Sequence, residues 1–351
     1  LSPEEAGIYN FFANASQDFA CASDQRRRFP FTMRRKILLL FPLLALLTGG
    51  LAFGQKPDDK KNQSKSSQQE KPEQIHTLNV RLPITVKEKD DCIAGLTQAN
   101  FEVYEDGKRQ KIETFESPST LPLNIALLVD TSNSVKLKLP VEKEAAEDFV
   151  VTVTTFRRKD QVLFATFDSE VVLHQDFTDD SQKLVDSIRK RKAGGVTRLY
   201  DAVYRVIEEK MATLRRPEAP EARLVMLVIS DGSDTASDRS LKDAIAIAQQ
   251  NDVTIFGIST KNFSGVTAGV VEGEDDKALR QLCESTGGQI FLPSQKVDLF
   301  RSFSRVKDCL RQEYVVYYTP QNQERSGKYR EIKVKLINAD GKLYHKKGYT
   351  Y

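Results

Sequence analysis

The chain has 351 residues, enough for roughly two domains, and its 40% hydrophobic content can fill at least one sizeable core. With 52 Lys and Arg against 49 Asp and Glu, the net charge is only +3. Neither a nucleic acid nor a charged membrane surface is indicated as a partner. Three His and no Trp argue against a His-based metal centre.

Residues 1–32 read as an upstream over-extension. Met33 is followed by Arg34, Arg35 and Lys36, then by an 11-residue apolar run over 37–47 and a small-residue exit ending in Gly54. Residues 33–54 therefore read as a secretory signal peptide, cut before Gln55. The run is shorter than the roughly 20 apolar residues of a membrane span. An uncleaved leader is the alternative, and would be the chain's one membrane contact. The expected location is periplasmic, cell-surface or extracellular. Without residues 1–54 the balance is 46 basic against 45 acidic residues, and three Cys remain: Cys92, Cys283 and Cys309. An oxidising compartment permits one disulfide with one thiol left over, whereas buried reduced cysteines acting as small hydrophobes serve equally well.

Residues 55–74 contain no aliphatic or aromatic side chain and predict a disordered linker. Residues 75–120 form an N-terminal β segment. The stretches 78–82 and 84–86 alternate apolar and polar residues, and 101–104 and 112–115 repeat the pattern, with Asp106-Gly107 as a hairpin turn between them.

From 121 to 312 the texture is α/β. Strands are expected over 123–129, 162–167, 171–177, 224–229, 253–258 and 289–292. Helices are expected over 141–155, 181–192, 199–211, 241–250, 276–285 and 299–310. Only three residues separate 162–167 from 171–177, which is too short a link for a parallel crossover, so that pair must be antiparallel. The fold class is a doubly wound, Rossmann-like, mainly parallel six-stranded sheet with one antiparallel edge strand. Residues 313–351 form a C-terminal β segment with Asp340-Gly341 at a hairpin turn. It is expected to pair with 75–120 as a small flanking β-sandwich, because the ends of an inserted domain lie close together.

Ligands of open α/β sheets bind beyond the carboxyl ends of the strands, where strand order reverses. The apolar strand 123–129 runs into Asp130-Thr131-Ser132-Asn133-Ser134, and 224–229 into Ser230-Asp231-Gly232-Ser233-Asp234. Thr197 follows Gly194-Gly195 at the head of a helix. Two carboxylates and three hydroxyls make an all-oxygen set suited to Mg²⁺, Mn²⁺ or Ca²⁺. Taken singly, these residues have ordinary roles as turn formers, as a helix cap at Thr197 and as the turn pair Asp231-Gly232.

Asp130, Ser132, Ser134, Thr197 and Asp231 together resemble the metal-ion-dependent adhesion site of the von Willebrand factor A family. That resemblance, over roughly 121–312, implies that Ser132, Ser134 and Thr197 contact one divalent cation. Asp130 and Asp231 would bind it directly or through water. It also implies Mg²⁺ first, with Mn²⁺ or Ca²⁺ as alternatives, and a protein or peptide partner that supplies a carboxylate. Gly95–Gly107 and the ending at Gly348-Tyr349 resemble the secreted von Willebrand factor A-related proteins of Acidobacteria.

No enzymatic activity is expected. The G-x-S-x-G elbow and a phosphate-binding Gly-rich cradle are missing, and only Asp234 offers itself as a general base. The alternatives are an envelope scaffold with a vestigial metal site and, behind it, a metal-dependent hydrolase. The acidic runs at 168–180 and 272–276 read as solvated turns and helix N-terminal charge. His174 is expected to have no functional role.

Overall fold

The computed structural model describes residues 79–89, 91–116, 121–155, 159–214, 222–262 and 273–351. The proposed leader and linker lie outside the described residues. In chain order the elements are β1 (Val80–Glu88), β2 (Asp91–Cys92), β3 (Phe101–Glu105), β4 (Lys108–Gln110), β5 (Thr114–Glu116), β6 (Leu123–Asp130) and α1 (Leu139–Thr155). Next come β7 (Gln161–Phe167), β8 (Val171–Thr178), α2 (Ser181–Arg189) and α3 (Leu199–Val206), which runs on as a π turn over Ile207–Met211. The series continues with β9 (Arg223–Ser230), α4 (Leu241–Gln250), β10 (Thr254–Ser259), α5 (Glu274–Ser285), β11 (Ile290–Phe291) and α6 (Lys296–Arg311). It closes with β12 (Tyr314–Tyr318), β13 (Tyr329–Leu336), β14 (Lys342–His345) and β15 (Gly348–Thr350).

The central sheet has the order β11-β10-β9-β6-β7-β8. All neighbours are parallel except β8, which returns antiparallel along β7, as the short link at 168–170 requires. Side chains alternate between faces along a strand. On β6, Leu123, Ile125, Leu127 and Val129 pack with α1, α2 and α6, while Ala126 and Leu128 pack with α3, α4 and α5. Both faces are covered, which explains why β6 and β9 read as unbroken apolar runs. Strand order reverses at β6, with β7 on one side and β9 on the other. The crevice at the switch point is therefore framed by the ends of β6 and β9.

The flanking strands form two antiparallel sheets. One has the order β14-β1-β12-β5 with β2 beside β1, and the other β15-β13-β3-β4. Their inner faces share a core that includes Leu82, Ile84, Val103, Val316, Tyr318 and Ile332. Within it, the buried Glu105 carboxylate pairs with Arg330 at 3.1 Å and accepts hydrogen bonds from the hydroxyls of Tyr318 (2.8 Å) and Tyr349 (2.9 Å). A disulfide joins Cys92 on β2 to Cys309 on α6, and Cys283 is a buried free thiol.

Two hairpin expectations are corrected. Asp106 and Gly107 both have positive φ (48° and 78°), the signature of a two-residue turn. The strand returning from that turn is therefore β4, which pairs with β3. The predicted partner, 112–115, instead contributes β5 to the other sheet, against β12. Asp340-Gly341 likewise joins two sheets and not two paired strands: β13 pairs with β3 and β15, whereas β14 pairs with β1. The end of the C-terminal β segment, after that turn, consequently divides into β14 and β15.

Candidate metal centre

Asp130 is the last residue of β6 and is fully buried. Its carboxylate is held from two sides: Oδ1 accepts the Ser132 backbone N–H at 2.8 Å, and Oδ2 accepts the Ser230 hydroxyl at 2.7 Å. The first contact bends the chain at the strand end, and the second ties that bend to β9. Burial pushes the Asp130 carboxyl up to about 6, opposed by the hydrogen bonds from Ser132 and Ser230 and reinforced by the charge of Asp231. Ser132 is buried and Ser134 exposed, with their hydroxyl oxygens 2.9 Å apart.

Three loops meet at this point. The loop after β6 joins the loop before α3 through Asn133 N–H to Gly195 O (3.1 Å) and Gly194 N–H to Thr131 O (2.7 Å). Gly195 has a φ of +82°, and a Cβ there would lie 2.5 Å from Ser169 Oγ, so only glycine fits this crossing. The loop before α3 joins the loop after β9 through two bonds to the Thr197 carbonyl, from Thr235 N–H (3.0 Å) and Ala236 N–H (3.1 Å). The Thr197 N–H donates back to Thr235 Oγ1 at 3.1 Å. Thr197 is buried but does not cap α3, whose N-cap is Arg198, without a side-chain cap bond. Asp231, 8% exposed, stands at the head of the loop after β9 and raises the Asp130 pKa by its proximity. The five residues singled out from the sequence thus lie on three loops stitched to one another around the β6–β9 crevice.

Sequence reading missed four supporting residues. Ser230 orients Asp130. Asp201 accepts from the N–H groups of Asp238 (3.1 Å) and Arg239 (2.9 Å), fixing the loop after β9 against α3. Thr235 fixes Thr197. Glu142 on α1 is fully buried, and among the described residues no hydrogen bond of ordinary geometry reaches its oxygens. Its signal was legible, because it occupies a place in the apolar stripe Leu139, Ala145, Ala146, Phe149, Val150, Val153. Asp234 is committed to structure, accepting from the Ser237 hydroxyl (2.6 Å) and the Tyr200 N–H (3.3 Å). Glu274, Asp275 and Asp276 form the first turn of α5. His174 bonds to Thr166 Oγ1 at 2.7 Å and to Arg191, and its ring is pushed down to about 4 by burial and by the Arg191 charge.

The donors fit a hard divalent ion. They are all oxygens, and a cation would offset the cost of a buried Asp130 charge next to Asp231. Among the described residues, no helix is long and apolar enough to cross a membrane.

Proximal thread matrix protein 1 from the mussel byssus aligns at 16% identity and a TM-score of 0.44, over 55% of this chain and 49% of its own; the chain thus spans about half the length of that protein. The same mussel protein has also been solved with a zinc-occupied MIDAS motif (16% identity, TM-score 0.43, 55% of this chain and 49% of that one). A von Willebrand factor type A protein from Catenulispora acidiphila aligns at 12% identity and a TM-score of 0.44, over 79% of this chain and 74% of its own. Curated proteins give no match. Residues 124–305, just over half of the chain, match the von Willebrand factor type A domain family, and the span encloses every loop of the crevice: the chain belongs to that family.

Proposed function

We propose that this protein is an exported, metal-dependent binding module that captures a protein or peptide through a carboxylate supplied by the partner. Asp130, Ser132, Ser134, Thr197 and Asp231 would hold one divalent cation, Mg²⁺ before Mn²⁺ or Ca²⁺. The observation that carries the reading is the double restraint on the Asp130 carboxylate, by Ser132 N–H and Ser230 Oγ, at the point where three loops are tied together. Such preorganisation of an acidic group suits a ligand to a cation.

The bound ion supplies a Lewis-acidic point of attachment for an anionic group. Two carboxylates and three hydroxyls offer five side-chain groups to an ion that takes six or more oxygen ligands, so a further oxygen donor from outside remains favourable. Ser134 is exposed while Asp130, Ser132, Thr197 and Asp231 are buried, which leaves one approach from solvent. Two apolar side chains stand out near that approach, Leu137 at 93% exposure and Val196 at 48%. They favour a partner whose carboxylate is flanked by apolar groups.

Export is supported by the signal-like sequence over 33–54 and by the Cys92–Cys309 disulfide, a bond of oxidising compartments. The test is capture from an envelope extract with Mg²⁺ present, followed by elution with chelator. Asp130→Ala and Asp231→Ala proteins should fold and capture nothing. Partner retention after chelation would favour the scaffold with a vestigial site. Metal-dependent ester or phosphate hydrolysis abolished by Asp231→Ala would favour a hydrolase.

A further inference from the structure

Glu142 has no role in the constellation just described, yet it is a fully buried carboxyl on the α1 stripe that otherwise carries apolar side chains. Its side chain is fully buried, and among the described residues no hydrogen bond of ordinary geometry reaches its carboxyl oxygens. A buried, unpaired carboxylate is costly and is not kept for packing. Among the described residues the buried Thr260 hydroxyl is the polar group that meets it, and it eases the charge through a loose hydrogen bond. Lys138 is the nearby cation, but its Nζ donates to the Lys261 carbonyl at 3.4 Å. The remaining charges around Glu142 are Asp130 and Asp231, and both repel it.

Strand periodicity explains this meeting. Asp231 continues the face of β9 that carries Val225, Leu227 and Ile229, and Thr260 continues the face of β10 that carries Phe256 and Ile258; both faces pack against α1 and α6. The Thr260 N–H donates to the Ser230 carbonyl at 2.9 Å, holding Thr260 beside the root of Asp231. Glu142 enters the same corner from the first turn of α1, where the helix N-terminus favours negative charge. A buried carboxyl, the one hydroxyl that meets it and two further carboxylates therefore surround one corner of the crevice.

We propose that Glu142 is the third carboxylate of the cation site, holding the ion through its water shell and so setting its affinity. This rests on the metal-binding reading above. Among the described residues, no three Asp, Glu, His or Cys side chains are placed to hold one ion together, so the role proposed for Glu142 is through bound water and not a direct bond. Mg²⁺ in particular keeps several of its waters when bound by protein carboxylates. Carboxylates at such a remove orient the bound waters and add long-range attraction, and their loss typically lowers metal affinity about 10- to 100-fold.

The test is calorimetric titration of the protein with Mn²⁺ and with Mg²⁺, alongside Glu142→Gln, Thr260→Val and Asp231→Ala, with thermal unfolding of each protein with and without cation. Glu142→Gln should bind the same single ion about tenfold more weakly, Thr260→Val severalfold more weakly, and Asp231→Ala not at all. Metal-free Glu142→Gln should unfold at the wild-type temperature or above it, since it removes a carboxyl that must either bind a proton or bury a charge on folding. A merely structural residue would behave in the opposite way, with lowered metal-free stability and unchanged affinity. Cation binding by Glu142→Gln within twofold of wild type overturns the assignment of Glu142 and leaves the five-residue site standing. Should Glu142→Gln fail to fold, unchanged affinity in Thr260→Val overturns it instead. A wild-type protein that binds neither ion removes the proposed function and this inference together.

Discussion

The Ser230 hydroxyl donates to Asp130 Oδ2 at 2.7 Å, across the junction of the two central strands. The same hydroxyl oxygen accepts the Gly232 N–H at 3.1 Å. One side chain thus ties the end of β6 to the turn that carries Asp231. Asp130 keeps a free lone pair on each oxygen, so the restraint fixes its direction without consuming its capacity as a ligand. Ser230→Ala should therefore leave the fold intact, at a cost of about 1 kcal/mol, while lowering cation affinity about tenfold. Calorimetric titration of the variant with Mn²⁺ checks this, and unchanged affinity would show that Asp130 needs no such orientation.

Stability of the metal-free protein should depend on pH in a definite sense. Burial raises the Glu142 carboxyl from 4.5 to about 8 and Asp130 from 3.8 to about 6. Through that window the folded protein binds more protons than the unfolded chain. Stability is therefore full at low pH and declines as the pH rises toward 8, at up to about 1.4 kcal/mol per pH unit for each group. His174 and His345, both depressed to about 4 by burial, act oppositely between about 4 and 6.5, where the unfolded chain binds the extra protons. The difference between wild type and Glu142→Gln isolates the glutamate. Urea unfolding in chelator at pH 5.5 and pH 8 should show a smaller decline for Glu142→Gln, and parallel declines would refute the buried-charge account.

The Cys92–Cys309 bond closes a loop across a sequence separation of 217 residues, linking the β-module to the last helix of the α/β layer. Cross-linking so distant a pair removes much chain entropy from the unfolded state. Cys92→Ser should cost about 2–5 kcal/mol, and reductant should lower the wild-type unfolding temperature to match. Cys283 is buried and its thiol is pushed well above the ordinary range by desolvation, so Cys283→Ala should remain oxidised between Cys92 and Cys309. Unfolding temperatures with and without reductant separate these cases.

Leu137 and Val196 offer apolar surface to a partner without touching the cation's chemistry. Leu137→Asp should weaken partner capture about tenfold, or roughly 1.4 kcal/mol, with cation affinity unchanged. A variant that loses neither would move the docking surface elsewhere.

The layering of the α/β region was legible in the sequence because local patterns encode it. Doubly covered strands such as β6 and β9 must be apolar throughout, and the three-residue link after β7 forces β8 to be antiparallel whatever else happens. Four of the five candidate ligands were legible for a related reason: they sit where apolar strands stop, while Thr197 follows a Gly-Gly pair at the head of α3. The pairing of the flanking strands was less so. Asp106-Gly107 announced a turn, but only the positive φ of both residues made it tight enough to choose β4 over β5 as the partner strand. Ser230, Thr260 and Glu142 act through contacts with residues far away in the chain. A serine, a threonine and a glutamate carry no local mark of which distant groups they will meet. The amino-acid order determined which faces are buried and where the strands end, because burial and turn geometry are local demands. The meeting of Glu142, Thr260 and Asp231 in one corner was decided by the tertiary packing of α1 against β9 and β10, because electrostatic proximity belongs to the assembled layers and not to any single segment.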